Sequence, residues 1–164
     1  EALDLVTEVG PLVDENAARR VCDWIDEAVT AGAKLLTGGV RDGAWVSPAV
    51  LVDVPHDAKV WAEEVFGPVV VLAPVDGADG AIEAVNDSRF GLQTGVFTKD
   101  TQTAFRFFSE LQVGGVIVGD VPSYRADQMP YGGVKESGVG REGVAYAMTD
   151  FTEERVMVLT GLTL

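Results

Sequence analysis

The sequence predicts an α/β fold in which a parallel sheet is covered by helices on both faces. Apolar runs alternate with stretches of helical periodicity between residues 69 and 118. This β-α-β-α-β order favours parallel strands joined by right-handed crossovers. The composition, with 47% hydrophobic and 23% charged residues among 164, is that of a globular protein large enough to bury a core.

The first predicted helix follows Asp14 and ends at Gly32. Asp14 suits an N-cap, because its carboxylate accepts hydrogen bonds from the free amides of a first helical turn. The apolar residues of this segment recur at helical spacing and are Ala18, Val21, Ile25 and Ala28. Residues 33–39 then predict a strand and turn, and residues 45–53 a second extended segment with an edge or bulge at Pro48.

The second half of the chain alternates between predicted helices and strands. A short helix starts at Asp57 and leads into an acidic pair of residues. The predicted strands are residues 69–75, 95–98 and 115–118. The predicted helices are residues 80–86, with Ile82 and Val85 directed inward, and residues 101–111, with Phe105, Phe108 and Leu111 at spacings of three.

The end of the chain is predicted to be a loop, a helix and a strand. Residues 120–140 are rich in glycine and proline, and loops of this length in compact domains are functional or disordered. Residues 142–148 predict a short helix and residues 154–159 a last strand. A terminal strand presents unpaired backbone groups at its edge, so it either pairs with another sheet or lies inside this one.

Charge and cysteine content exclude several classes of function. A net charge of −14 repels phosphate backbones and anionic lipids, so we expect neither a nucleic-acid nor a membrane partner. The first residues have neither the basic region nor the apolar segment of a signal peptide. One cysteine and one histidine provide no metal site and no internal disulfide, which is consistent with a reducing cytoplasm.

Residues 61–68, WAEEVFGP, place two carboxylates and an aromatic ring before a strand. Gly67 and Pro68 favour a stiff corner, because glycine adopts conformations closed to other residues and proline fixes its φ angle. Ligands bind at strand ends in open α/β sheets. There Glu64 would accept hydrogen bonds from sugar hydroxyls and Phe66 would pack against a flat ring. The alternative is a solvated acidic helix end followed by a core phenylalanine.

Two further motifs extend this pattern. Residues 86–92 read NDSRFGL, and residues 129–142 read MPYGGVKESGVGRE. Together with residues 61–68, in this order and separation, they resemble the aldehyde dehydrogenase family, and residues 7–12, TEVGPL, are similar to the family's segment just past its active-site cysteine. The resemblance spans nearly the whole chain but a minority of the family's usual length. It therefore implies the C-terminal part of a longer enzyme, with an incomplete sheet.

The resemblance implies NAD- or NADP-dependent oxidation of an aldehyde to a carboxylic acid by a cytoplasmic enzyme. In the family, a cysteine thiolate attacks the aldehyde and a glutamate activates the hydrolytic water. Both lie upstream of the matching segment, so no catalytic residue is expected in this chain. Residues 1–150 would belong to the catalytic domain and residues 151–164 to an oligomerisation strand of a homodimer or homotetramer. The alternative is a truncated, non-catalytic relative that acts as an interaction module.

The resemblance also implies roles for individual residues. Glu64 corresponds to the glutamate that holds the nicotinamide ribose, and Phe66 to the phenylalanine that borders the nicotinamide. Tyr131 occupies the aromatic position that lines the aldehyde pocket, and its alternative is a core aromatic. Arg141 and Glu153 match an ion pair with a structural role, which ties the active-site loop to the C-terminal strand.

Arg125 is the most informative residue for the substrate. It lies in residues 120–127, DVPSYRAD, and in the family this loop faces the substrate tail. A guanidinium there suits a carboxylate, phosphate or phosphonate, so the expected substrate is a small anionic or hydroxylated aldehyde. Similar loops occur in family members that act on phosphonoacetaldehyde, lactaldehyde or glyceraldehyde 3-phosphate. The alternative is a solvated arginine paired with Asp127. Gly119 departs from the asparagine that the family commonly has at the base of this loop.

Three other features are predicted to be structural. Cys22 lies beside the apolar stripe of the first helix and behaves as a packing residue, although Arg19 and Arg20 favour a lower thiol pKa. His56 is predicted to be a surface residue. Residues 138–143, GVGREG, match G-x-G-x-x-G but lack the preceding strand and following acidic residue of a dinucleotide site. Their glycines are predicted to shape a tight loop.

Overall fold

The chain divides after Pro74 into two compact units, Glu1–Pro74 and Val75–Leu164. The structure is a computed structural model that describes residues 3–161. The predicted catalytic-domain segment, residues 1–150, is therefore shared between two units, and each unit has its own hydrophobic core. No helix among residues 3–161 is both long and apolar enough to cross a bilayer.

Helix α1 (Glu15–Thr30) is the main helix of the first unit and forms where the apolar spacing predicted it. The Asp14 carboxylate caps its first turn by accepting a hydrogen bond from the Ala17 amide at 2.7 Å. The helix ends at Thr30, with Ala31 as its C-cap, and Gly32 follows with a φ of +114°, a conformation that favours glycine. The predicted apolar stripe is buried and consists of Ala18, Val21, Ile25 and Ala28.

Helix α1 packs against a three-stranded sheet. A hairpin and a single-turn helix complete the unit. The sheet strands, in spatial order, are β1 (Lys34–Thr37), β4 (Ala49–Val52) and β5 (Val69–Leu72). The other elements are β2 (Arg41–Asp42), β3 (Trp45–Val46) and α2 (Lys59–Ala62). Strand β1 is antiparallel to β4, whereas β4 is parallel to β5.

This sheet differs from the predicted parallel sheet with helices on both faces. It is mixed, because β1 and β4 are joined by the β2–β3 hairpin segment rather than by a crossover helix. Ala49 and Leu51 of β4 face α1 and are buried. Val70 and Leu72 of β5 lie on the opposite face and are 53% and 50% exposed. Among residues 3–74, helices pack on one face of this sheet.

The second unit follows the predicted alternation of helices and strands. Its elements in chain order are α3 (Gly77–Asn86), β6 (Phe90–Gly91), β7 (Gln93–Val96), α4 (Thr101–Glu110), β8 (Gly115–Val118), β9 (Val134–Lys135) and α5 (Val144–Asp150). Strands β7 and β8 form a parallel pair, whereas β6 and β9 form an antiparallel pair. Strand β9 therefore breaks the predicted loop of residues 120–140. The core residues are Ile82, Val96 and Leu111, with Val85 and Phe107 packed against them.

The buried face of α4 does not follow the spacing of three noted in the sequence. Phe105 and Phe108 are 70% and 69% exposed, whereas Phe107 packs against the core. Leu111 follows Phe108 at the same spacing of three. However, Leu111 is the C-cap of α4, with a ψ of +131° that lies outside helical geometry. The burial of Leu111 therefore does not mark the buried face of the helix.

The predicted C-terminal strand is not formed in this chain. Residues 154–159 are in no strand, and their apolar side chains are largely exposed, from 66% at Leu159 to 90% at Val156. A strand needs a neighbouring strand for its N–H and C=O groups, and none pairs with this segment within residues 3–161. The oligomerisation role of residues 151–164 stays a prediction, and residues 162–164 lie outside the described residues.

Candidate cofactor and substrate site

The corner that carries Glu64 and Phe66 lies in the first unit, between α2 and β5. The Arg20 guanidinium of α1 donates a hydrogen bond to the Val65 carbonyl at 2.8 Å. Gly67 lies against α1, where an added Cβ would be 2.7 Å from a methyl group of Val21. Two contacts therefore hold the corner against α1. One is the hydrogen bond from Arg20 to the Val65 carbonyl, and the other is the close packing of Gly67 on Val21, where only glycine fits.

Both predicted cofactor residues project from this corner into solvent. Phe66 has a φ of +48° and is 73% exposed, so the alternative of a core phenylalanine is wrong. Glu64 is exposed, and its carboxylate contacts no hydrogen-bond donor among residues 3–161. A free carboxylate beside an exposed ring fits a ribose and a flat heterocycle, which the family's cofactor presents.

Arg125 is held in the second unit by an ion pair and an aromatic ring. Its Nη2 donates to Glu142 Oε2 at 2.8 Å, and its guanidinium lies 4.0 Å from the centroid of the Tyr131 ring. The hydrogen bond that Arg125 donates to Glu142 raises the pKa of Arg125 above its usual value. The alternative pairing with Asp127 is wrong, since the ion-pair partner is Glu142, 17 residues further on.

Tyr131 and Glu142 are themselves joined through the backbone. The Tyr131 amide donates to the Glu142 carbonyl at 3.1 Å, and the Glu142 amide donates back at 2.6 Å. Tyr131 is half-buried and lines a cleft of about 450 Å³ together with Gly132, Arg141 and Glu142. The sequence did not identify Glu142 as a partner of Arg125, because 17 residues separate the two and no local pattern links them.

The loop that carries Arg125 is anchored by Gln93 of β7. The side-chain amide of Gln93 donates to the carbonyls of Pro122 and Tyr124. Gly95 lets the loop approach β7, since an added Cβ would be 2.6 Å from the Asp120 carbonyl oxygen. Gly119 has a φ of +86°, a conformation that glycine and, less readily, asparagine adopt. Gly119 in place of the family's common asparagine therefore suits this backbone.

Two of the sequence motifs meet in the second unit. Lys135 donates from Nζ to the carbonyls of Asn86 and Ser88, at 2.7 and 2.8 Å. The Gly91 amide donates to Ser137 Oγ at 3.0 Å, next to the β6–β9 pairing. Hydrogen bonds thus link residues 86–92 to residues 134–137, which lie within the glycine-rich segment. These residues were identified only through the family resemblance, because hydrogen bonds between distant segments produce no periodic pattern in the sequence.

The predicted ion pair between Arg141 and Glu153 is not formed. Arg141 Nη1 donates instead to the carbonyls of Gly133 and Gly140, at 2.9 and 2.6 Å. Glu153 is exposed and has no ion-pair partner within residues 3–161. Arg141 keeps a structural position inside the glycine-rich loop, whereas a structural role for Glu153 stays a prediction that depends on the conformation of the C-terminal segment.

The remaining sequence features are structural. Cys22 packs against the α1 core, and its burial raises the thiol pKa, while Arg41 rather than Arg19 or Arg20 acts in the opposite direction. His56 is exposed and stacks on Trp61 with ring centroids 4.2 Å apart. No cluster of metal-ligating side chains occurs among residues 3–161.

The glycines of residues 138–143 shape a tight loop, as predicted. Gly138, Gly140 and Gly143 have φ angles of +118°, +77° and +109°. Residues other than glycine rarely adopt such φ angles. The G-x-G-x-x-G pattern therefore reflects backbone conformation in the loop before α5.

The family model of the aldehyde dehydrogenase family matches residues 1–157. The match covers nearly the whole chain, and it includes the corner with Glu64 and the loop with Arg125. The chain belongs to the aldehyde dehydrogenase family.

Two curated relatives illustrate the range of aldehydes. The 3-sulfolactaldehyde dehydrogenase of Priestia aryabhattai is 50% identical over 157 residues, which are 96% of this chain and 33% of that protein. The lactaldehyde dehydrogenase of Methanococcus vannielii is 40% identical over 157 residues, which are 96% of this chain and 34% of that protein. The chain therefore spans about a third of the length of the curated relatives it matches.

Two solved structures share the fold. Aldehyde dehydrogenase 21 from Physcomitrella patens, in complex with the reaction product succinate, has a TM-score of 0.93 and 48% identity over 95% of this chain and 32% of that one. The NADP-dependent glyceraldehyde-3-phosphate dehydrogenase from Bacillus halodurans, complexed with NADP, has a TM-score of 0.87 and 39% identity over 93% of this chain and 32% of that one. The fold is that of part of an aldehyde dehydrogenase.

Proposed function

We propose that this chain is the C-terminal part of an NAD- or NADP-dependent enzyme that oxidises a small anionic or hydroxylated aldehyde to a carboxylic acid. The observation that carries the substrate class is Arg125, held between Glu142 and the ring of Tyr131. Family membership over residues 1–157 supports the reaction class. The rest of the natural polypeptide supplies the nucleophilic cysteine and the general base.

Glu64 and Phe66, in the first unit, are the proposed cofactor-binding residues. The Glu64 carboxylate accepts hydrogen bonds from the ribose hydroxyls, and such charge-assisted bonds are stronger than neutral ones. The exposed Phe66 ring borders the nicotinamide and keeps water from that side. NAD or NADP, held by these residues, would supply the hydride acceptor for oxidation of the aldehyde. The solved relative with NADP supports the use of a nicotinamide cofactor.

Arg125 and Tyr131, in the second unit, are the proposed substrate-binding residues. The guanidinium binds an anionic group at the far end of the aldehyde, and the Tyr131 ring provides a wall beside it. The two curated relatives frame the expected range, since 3-sulfolactaldehyde carries a sulfonate and a hydroxyl, whereas lactaldehyde carries the hydroxyl alone. We place the substrate of this protein within that range.

The first test is the length and activity of the natural polypeptide. We expect its intact mass to be several times that of the 164-residue chain, and we expect the purified protein to reduce NAD or NADP with 3-sulfolactaldehyde or lactaldehyde. A natural mass equal to that of this chain, without activity, would instead support a non-catalytic interaction module.

The second test addresses the cofactor residue. In the full-length enzyme, Glu64→Gln should raise the KM for the nicotinamide cofactor about tenfold, because hydrogen bonds to a charged group contribute about 1.5–3 kcal/mol. Glu83→Gln, at an exposed position of α3, is the control and should leave this KM unchanged. An unchanged cofactor KM in Glu64→Gln would exclude the ribose role.

A further inference from the structure

We infer that Glu142 is a positioning residue that favours anionic aldehydes by holding the Arg125 guanidinium with one edge directed to the substrate. The inference rests on the proposed function and adds a residue and a specificity to it. Glu142 holds one nitrogen of Arg125, Nη2, at 2.8 Å. The other nitrogens, Nη1 and Nε, have no hydrogen-bond partner in the part of the chain that the structure describes. They form the edge that remains for a sulfonate, carboxylate or phosphate.

The two residues that hold Arg125 are fixed to each other. Reciprocal backbone hydrogen bonds between Tyr131 and Glu142, at 3.1 and 2.6 Å, place the ring and the carboxylate on neighbouring positions. The ring lies 4.0 Å from the guanidinium, so it restricts the plane of Arg125, while the carboxylate restricts its rotation. Plane and rotation together define the direction of the free edge.

The main chain beside Arg125 is anchored on both sides. The Tyr124 carbonyl accepts a hydrogen bond from Gln93 at 3.1 Å. The Ala126 amide donates to the sulfur of Met129 at 3.2 Å. The start of the Arg125 side chain is therefore fixed by the loop, and its end is fixed by Glu142 and Tyr131. Such an arginine is preorganised, so less conformational freedom is lost when an anion binds.

Glu142 also opposes an anion, because it is negatively charged. Asp127 acts on Arg125 in the same sense as Glu142, since both raise its pKa. The Arg125 and Glu142 side chains are 46% and 69% exposed, so solvent screens this repulsion. The positioning contact is a hydrogen bond at 2.8 Å, so solvent screens it less than the longer-range repulsion between Glu142 and an anion at the other edge of the guanidinium. We therefore expect the positioning effect of Glu142 to exceed its repulsion.

The experiment compares two aldehydes that differ by one sulfonate, 3-sulfolactaldehyde and lactaldehyde, with the full-length enzyme. Glu142→Ala should lower kcat/KM for 3-sulfolactaldehyde about tenfold more than for lactaldehyde, mainly through KM, where tenfold is about 1.4 kcal/mol. Glu142→Gln keeps an oxygen that accepts from Arg125, so it should restore most of the preference. Glu142→Asp keeps the charge but shortens the reach, so it should resemble Glu142→Ala.

The matched control is Glu110→Ala, which removes another exposed glutamate paired with an arginine, 2.8 Å from Arg106 on α4. It should leave the ratio of the two kcat/KM values unchanged. Adding Glu142→Ala to Arg125→Ala should have no further effect on the ratio, because positioning acts only through Arg125.

The outcomes separate the inference from the proposed function. If Arg125→Ala leaves the ratio unchanged, the substrate role of Arg125 in the proposed function is wrong. If Arg125→Ala lowers the ratio but Glu142→Ala and Glu142→Asp do not, only the inference is wrong. An increased preference for 3-sulfolactaldehyde in Glu142→Ala would also overturn the inference, since it would make Glu142 a competitor of the substrate anion.

Discussion

At the scale of single residues, exposure and hydrogen-bond partners decide between alternatives that the sequence left open. Phe66 was either a ligand contact or a core residue, and its 73% exposure excludes the core. Arg125 was either free for a substrate or paired with Asp127, and it pairs with Glu142 instead. In both cases the outcome depends on residues that are distant in sequence, so no local sequence pattern could predict it.

Cys22 provides a test at this scale. Burial against the α1 core raises its thiol pKa, so a smaller fraction is thiolate at pH 8 in the folded chain than in the unfolded one. We expect alkylation by iodoacetamide at pH 8 to be several-fold slower, on the order of tenfold, in the native protein than in urea. Labelling at equal rates in both conditions would contradict a packing role.

At the scale of elements, capping and close packing determine where helices and corners lie. Asp14 and Asp100 each cap a helix through a carboxylate, at 2.7 and 2.8 Å from a backbone amide. The bond from Thr103 lowers the pKa of Asp100. The α4 cap is therefore present above the unfolded pKa of Asp100 and is lost as the pH falls through its lower folded pKa.

The cap of α1 can be tested by mutation. Asp14→Ala should destabilise the first unit by about 1 kcal/mol, because it leaves the Ala17 amide without its acceptor. Asp14→Asn keeps an acceptor and should have a much smaller effect. Urea unfolding followed by tryptophan fluorescence measures this, since all three tryptophans, Trp24, Trp45 and Trp61, lie in the first unit. Equal stability of the alanine variant and the wild type would contradict the capping role.

The corner at Gly67 can be tested in the same way. Gly67→Ala would place a Cβ 2.7 Å from a Val21 methyl group, and overpacking of this kind costs about 1–3 kcal/mol. We expect a lower unfolding midpoint and, in the full-length enzyme, a higher KM for the nicotinamide cofactor. Gly10→Ala is the control, because nothing lies within 4 Å of its added Cβ. An unaltered midpoint in Gly67→Ala would show that the corner is not held by this contact.

At the scale of the whole molecule, the exposed C-terminal segment sets the expectation for assembly. Residues 154–159 present apolar side chains and unpaired backbone groups, which favours pairing with a strand of another subunit. Replacing Val156 and Val158 with aspartate should lower the oligomeric state of the full-length protein, measured by light scattering after size-exclusion chromatography. Thr160→Asp is the control and should leave the oligomeric state unchanged. A homodimer or homotetramer that persists in the double variant would argue against this interface.

The sequence by itself determined helices α1, α3 and α4 and most of the strands between them, but not the β2–β3 hairpin or strands β6 and β9. Helix α1, its cap and its apolar stripe were predicted correctly, as was the parallel pairing of strands in the β7–α4–β8 region. Amphipathic spacing, caps and glycine conformation are local properties, so they are readable along the chain. The family was also recognisable from its motifs, because they span residues 61–142 in a specific order.

Only the tertiary structure decided how distant side chains meet. It made the first sheet mixed, left Glu153 without Arg141, and placed Glu142 and Tyr131 around Arg125. Each of these results depends on chain segments that approach in space, and the free energy of such contacts depends on packing and desolvation rather than on sequence spacing. Contacts between distant segments thus position the corner that carries Glu64 and the loop that carries Arg125. The hydrophobic periodicity of the sequence does not predict such contacts.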